Sequence, residues 1–125
     1  MLDQIISKLK TGETHISTDT RTITPGDIFF AIKGEQFDGY DFVAQALEKD
    51  ASLCVVGADF VNSNLGEGDS RLLKVEDTVK ALQQLATEYR NTLTIPIIAI
   101  TGCNGKTTTK NFMASVLAQK YGAEK

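Results

Sequence analysis

The segment Ile95-Pro96-Ile97-Ile98-Ala99-Ile100-Thr101 constrains this chain more than any other. It is apolar at successive positions, so a strand built from it has no face to turn to water and belongs inside a parallel sheet covered on both sides. Directly after it come Gly102-Cys103-Asn104-Gly105-Lys106-Thr107-Thr108-Thr109, then Phe112, Met113, Val116 and Leu117 at helical spacing. Strand, glycine loop and helix in that order are the setting of a phosphate loop. Glycines let the backbone curl so that several N–H groups face one phosphate, and the helix N-terminus adds partial positive charge.

Gly102, Cys103, Asn104, Gly105, Lys106, Thr107 and Thr108 are therefore the candidate phosphate-binding residues. Lys106 is the candidate catalytic residue, reaching the β- and γ-phosphates, and Thr107 the candidate Mg2+ ligand. The usual pattern is Gly-x-x-x-x-Gly-Lys-Ser/Thr, whereas this loop is the shorter Gly102-x-x-Gly105-Lys106-Thr107. The plainer alternative is a strand-to-helix turn that happens to use glycines and carries a surface lysine. The coincidence of strand, glycines, Lys-Thr and helix argues against it. Cys103 stands at a helix N-terminus, which favours a nucleophilic thiolate, so it is expected to be the reactive cysteine.

Hydrolysis or transfer also needs a downstream carboxylate for Mg2+. No apolar strand ending in Asp or Glu follows the loop. Residues 94–125 thus read as the opening of a second domain, with the boundary near Asn91 to Thr94. Without sheet partners, the 95–101 strand is expected to pack on the first domain, pair with another chain or be poorly ordered.

Upstream, Leu2, Ile5, Ile6 and Leu9 form one helical stripe ending near Thr11-Gly12. Strands are expected from Ile16, at Asp27 to Ile32, at Ser52 to Val56 and at Leu72 to Val75. The Thr24-Pro25-Gly26-Asp27 break separates the first two, and a polar loop runs from Asn62 to Ser70. Asp41 is a candidate N-cap for a helix through Val43, Ala46 and Leu47. Asp77 or Thr78 can cap a helix with Val79, Leu82, Leu85, Ala86 and Tyr89 inward. Helices and strands alternate, so the class is α/β.

With 13 Lys+Arg against 16 Asp+Glu the net charge is -3, and no basic cluster could track a phosphate backbone, so no nucleic-acid partner is expected. No apolar run nears the roughly 18 residues of a membrane span, so no membrane insertion is expected. The start, Met1-Leu2-Asp3-Gln4-Ile5, has no basic region followed by a long apolar one, which makes the cytoplasm the expected compartment. Cys54 and Cys103 are then expected to be free thiols.

The string Thr-Gly-Cys-Asn-Gly-Lys-Thr-Thr-Thr-Lys at 101–110 resembles the ATP loop of the Mur ligases of peptidoglycan synthesis. Asp19-Thr20-Arg21 and the run Pro25-Gly26-Asp27-Ile28-Phe29-Phe30-Ala31-Ile32-Lys33-Gly34-Glu35-Gln36-Phe37-Asp38-Gly39-Tyr40-Asp41-Phe42 are similar to that family's amino-terminal domain. Within the family the similarity is greatest to the branch that adds D-Ala-D-Ala.

The resemblance implies a cytoplasmic ligase of three domains, expected to be a monomer. The first domain grips the UDP end of UDP-MurNAc-peptide, the second binds ATP and Mg2+, and the third carries D-Ala-D-Ala. Residues 1–93 would be a small α/β UDP-substrate-binding domain. Residues 94–125 would give the first strand, phosphate loop and helix of a P-loop ATPase-like central domain. The implied reaction phosphorylates the tripeptide carboxylate to an acyl phosphate, which the D-Ala-D-Ala amine converts to an amide. The chain alone is expected to be inactive.

For the UDP end, Thr20 and Arg21 match the family's Asp-Ser-Arg motif, with Thr in place of Ser. The Thr20 hydroxyl is expected to donate to a phosphate or uracil oxygen. Glu35, Gln36, Phe37 and Asp38 match the loop in which backbone amides approach the nucleotide while Phe37 packs on it. Plainer readings stand beside these. Asp19 and Arg21 could merely pair on the surface, and Phe37 could anchor its loop. Phe29, Phe30 and Tyr89 read as core, and His15 has no second ligand at metal spacing. Two other functions compete: a sibling ligase that adds the third residue, diaminopimelate or lysine, and a non-catalytic nucleotide-binding module.

Overall fold

A computed structural model describes all residues except 1, 13, 36, 62–68 and 123–125, and leaves the side chains of 2–4 undescribed. The chain divides into two compact units, Met1–Leu93 and Thr94–Lys125.

The first unit is built on a parallel sheet of order β1-β2-β3-β4: β1 Ile16–Ser17, β2 Ile28–Phe30, β3 Leu53–Gly57 and β4 Leu72–Val75. Register is set by pairs such as Ile16 with Ile28, Phe29 with Cys54, and Val55 with Leu73. Alternation along each strand sorts the side chains into two layers. Phe29, Cys54 and Val56 pack with Val43, Ala46 and Leu47 of α2 (Val43–Glu48). Ile28, Phe30 and Val55 pack with Ile5 and Ile6 of α1 (Leu2–Lys10) and Leu85 of α3 (Thr78–Thr92). Helices thus cover both faces, and strands buried on both sides read as apolar runs. Both Phe29 and Phe30 are core, one on each face.

Local chemistry sets the element ends. Gly12 at φ +72° closes α1, its N–H bonded to the Leu9 carbonyl. Asp77 caps α3 by accepting the Lys80 N–H at 3.0 Å. The expected cap at Asp41 is not found. Asp38 caps instead, accepting the Tyr40 N–H at 3.0 Å and starting a 3-10 turn, Gly39–Phe42, that leads into α2 with no side-chain cap. The longer polar loop expected at Asn62 to Ser70 falls largely outside the described residues.

In the second unit, α4 spans Lys106–Tyr121. Residues 95–101 do not form the expected strand, and Ile95, Ile97 and Ile98 are exposed. The apolar pattern is present, but a strand exists only with a hydrogen-bonded neighbour, and the described residues of this unit hold no second strand.

Candidate functional site

In a parallel sheet the loops leaving the strands' carboxyl ends gather at one edge, where ligands bind in open α/β folds. Here Thr20 and Arg21 follow β1, residues 33–38 follow β2, and Asp59 follows β3, so segments far apart in sequence leave the same end of neighbouring strands.

The turn after β1 is held tightly. The Asp19 carbonyl accepts the Thr22 N–H at 3.2 Å, and the Ser17 hydroxyl donates to the same carbonyl at 2.8 Å. Thr20 is buried, and its hydroxyl donates to Gln45 Oε1 on α2 at 2.6 Å while its carbonyl accepts from Lys49 Nζ. The hydroxyl proton expected to serve a ligand is therefore engaged inside the protein. Arg21 lies exposed, its Nε and Nη2 donating to the Asp19 carboxylate, and Nη1 has no partner among the described residues. That guanidinium holds the Asp19 carboxyl down at about 2. The surface pair thus exists, and it orients the guanidinium fork with donors to spare.

The loop after β2 closes on itself. The Gly34 N–H bonds the Phe37 carbonyl at 2.9 Å, Lys33 bridges Asp38, and the Gly39 N–H returns to the Ile32 carbonyl at 3.0 Å. Gly39 is required there, because a Cβ would stand 2.5 Å from the Ile32 carbonyl oxygen. Glu35 is exposed and Phe37 is 71% exposed, so Phe37 does not anchor the loop. A bare aromatic ring on a fixed loop is available to stack on a planar group. Gln36 lies outside the described residues.

Sequence reading missed Tyr40 and Asp59. The Tyr40 hydroxyl donates to Asp59 Oδ1 at 2.6 Å, and the ring meets Phe60 edge-on at 5.2 Å. The paired aromatics at 40 and 60 were visible in the sequence, but nothing local links residues 19 positions apart.

In the second unit Gly102 and Gly105 have φ of +145° and +77°, conformations that favour glycine. Gly105 is the N-cap of α4 and offers no side chain to the helix end, whose first N–H groups, at Lys106, Thr107 and Thr108, have no carbonyl partner within the helix. Lys106 Nζ folds back to the Gly102 carbonyl, which keeps the ammonium over the loop. Thr101 to Thr109 are all exposed. This donor set of amides, one ammonium and the Thr107 hydroxyl fits a phosphate chain with a hard cation beside it. Both cysteines are free, Cys54 buried and Cys103 exposed. Among the described residues no group of three His, Cys, Asp or Glu side chains could hold a metal, and no helix is long and apolar enough to cross a membrane.

A family model described as "Mur ligase family, catalytic domain" matches residues 14–90. The UDP-N-acetylmuramoyl-tripeptide–D-alanyl-D-alanine ligase of Synechocystis sp. is 48% identical over 105 residues, covering 84% of this chain and 22% of that protein. The UDP-N-acetylmuramoyl-L-alanyl-D-glutamate–2,6-diaminopimelate ligase of Clostridium tetani is 37% identical over 107 residues, with coverage of 84% and 22%. A crystal structure of a MurF ligase from Thermotoga maritima in complex with ADP matches with a TM-score of 0.70 at 33% identity, over 86% of this chain and 24% of that one. The chain thus spans less than a quarter of the length of each of these relatives.

Proposed function

Because the chain belongs to the Mur ligase family, we propose that it supplies the UDP-substrate domain and the ATP loop of a cytoplasmic, monomeric enzyme that joins D-Ala-D-Ala to UDP-MurNAc-tripeptide. The observation that supports this reading is topological: the turn carrying Arg21 follows β1, and the loop carrying Phe37 and Asp38 follows β2, the parallel neighbour of β1. There, Arg21 offers its remaining donors to the diphosphate and Phe37 stacks on the uracil. Backbone amides of the 35–38 loop complete the grip. Thr20 acts through Gln45, holding the turn that presents Arg21.

In the second unit the N–H groups that open α4 and the Lys106 ammonium bind the phosphates of ATP. The Thr107 hydroxyl would hold Mg2+, which would supply positive charge beside the phosphate chain. In the reaction the tripeptide carboxylate attacks the γ-phosphorus, the bond to the ADP oxygen breaks and an acyl phosphate forms. The D-Ala-D-Ala amine then attacks the acyl carbon, gives up a proton and expels phosphate. On this reading a third domain carries the dipeptide, so the 125 residues alone are expected to be inactive.

Calorimetric titration with UDP-MurNAc-tripeptide tests the first unit's role. Saturable binding is expected, weakened about tenfold by Arg21→Ala, the loss of one charge-assisted contact. Binding of Mg-ATP alone would leave a nucleotide-binding module. The similarity to the Clostridium tetani enzyme favours a second reading, a sibling that adds the third amino acid. Turnover of UDP-MurNAc-dipeptide with diaminopimelate, in an enzyme carrying these residues, would select it.

A further inference from the structure

Tyr40 ties together three charged side chains, Asp59, Asp38 and Lys33. Its hydroxyl reaches from the 3-10 turn Gly39–Phe42 to Asp59 beyond β3, at 2.6 Å, the length of a charge-assisted O–H···O bond. Its N–H is held by Asp38 Oδ1, and Asp38 Oδ2 lies 3.4 Å from Lys33 Nζ. Lys33 Nζ in turn stands 5.4 Å over the Tyr40 ring. Both ends of the 33–38 loop, Lys33 and Asp38, therefore converge on one tyrosine.

The end of β3 is shaped to admit this bond. A Cβ at Gly57 would lie 2.0 Å from the Tyr40 oxygen and 2.6 Å from Asp59 Oδ1, so only a bare backbone leaves room. Packing of the ring on Phe60 requires no hydroxyl, and a phenylalanine would pack there equally well. The hydroxyl bond lies at the exposed edge of the sheet, where it adds little to global stability.

We infer that Tyr40 and Asp59 are a positioning pair that holds Lys33, Phe37 and Asp38 in the geometry that grips the UDP end of the substrate. The inference rests on the substrate-domain reading above. Neither residue touches the ligand; Asp59 acts through the Tyr40 hydroxyl, and Tyr40 through Asp38 and Lys33.

The test is a double-mutant cycle on the 125-residue chain, titrated with UDP-MurNAc-tripeptide. Tyr40→Phe and Asp59→Ala are each expected to weaken binding about fivefold to tenfold, and the double variant no more than either alone, as for two ends of one bond. Asp59→Asn, which still accepts the phenol proton, is expected to stay within about twofold of the parent. Thermal midpoints serve as the control for folding, and amide exchange at Gly34 and Gly39 is expected to quicken in Tyr40→Phe while that of β3 is unchanged. Binding by the parent that neither single variant weakens overturns the inference alone. Additive losses, or a loss in Asp59→Asn equal to that in Asp59→Ala, also overturn it. Absence of binding by the parent overturns the substrate-domain reading and the inference with it.

Discussion

The Thr20 hydroxyl donates to Gln45 Oε1 at 2.6 Å, which fixes the first turn of the candidate substrate site to the helix behind it. Thr20 is 5% exposed while Gln45 is exposed, so losing the hydroxyl removes the bond and leaves the Gln45 amide free to bond water. Thr20→Val is expected to cost about 0.5–1.5 kcal/mol in chemical denaturation, the usual net worth of one hydrogen bond. A ligand-contact role alone would leave stability unchanged and reduce only affinity.

Asp27 makes stability depend on pH. The carboxylate is buried and accepts the Thr24 N–H at 2.9 Å, the Thr24 hydroxyl at 2.8 Å and the His15 N–H at 3.0 Å, with the His15 ring 3.4 Å away. Burial by itself raises the pKa, but the bonds from Thr24 and His15 outweigh it and hold the carboxyl below its ordinary value. A folded pKa below the unfolded one gives stability that is full above the ordinary carboxyl range of about 4 and is lost as pH falls through the folded value. Denaturation midpoints from pH 7 down to pH 2 should therefore fall on the acid side. Asp27→Asn is expected to cost about 1–3 kcal/mol at pH 7 and to flatten that acid limb.

Gly39 tolerates no side chain. A Cβ would stand 2.5 Å from the Ile32 oxygen and 2.6 Å from its nitrogen, both backbone atoms that cannot rotate away. Gly39→Ala is expected to destabilise the first unit by about 2–3 kcal/mol, measured by denaturant midpoint. Gly26→Ala is the contrasting control. No atom stands within 4 Å of its Cβ, so its cost is confined to the strain of φ +92°.

The two cysteines report on the nucleotide loop. Burial pushes the Cys54 thiol up to about 11, while Cys103 lies exposed beside the N-terminus of α4. Iodoacetamide at pH 8 is expected to label Cys103 and spare Cys54, as read by peptide mass. Mg-ATP should slow the labelling, and equal labelling of both thiols would contradict this arrangement of the loop.

The layers of the first unit were legible because strands covered on both faces leave apolar runs and helices leave stripes. Ile5, Ile6 and Leu85 fall where those stripes place them, whereas Val79 and Ala86, expected inward on the same helix as Leu85, are exposed. The cap of the second helical segment was misplaced because Asp38 and Asp41 are both reasonable caps by type. Close approach at Gly39 favours Asp38, and that contact is nonlocal. At 95–101 the apolar pattern was clear, but pattern gives only the tendency to pair, and pairing needs a partner strand. The same limit hid the Tyr40–Asp59 bond and the inward turn of Thr20. Each depends on which strand ends lie side by side, which the order β1-β2-β3-β4 determines and no short motif records.

The most direct test follows amide chemical shifts of the 125-residue chain during two separate titrations. UDP-MurNAc-tripeptide is expected to move resonances of Arg21, Phe37, Asp38 and their neighbours and to leave 102–109 in place. Mg-ATP is expected to move 102–109 and leave the first unit unchanged. Shifts from the UDP compound confined to 102–109, or none at all, would contradict the assignment of the substrate site to the carboxyl edge of the sheet.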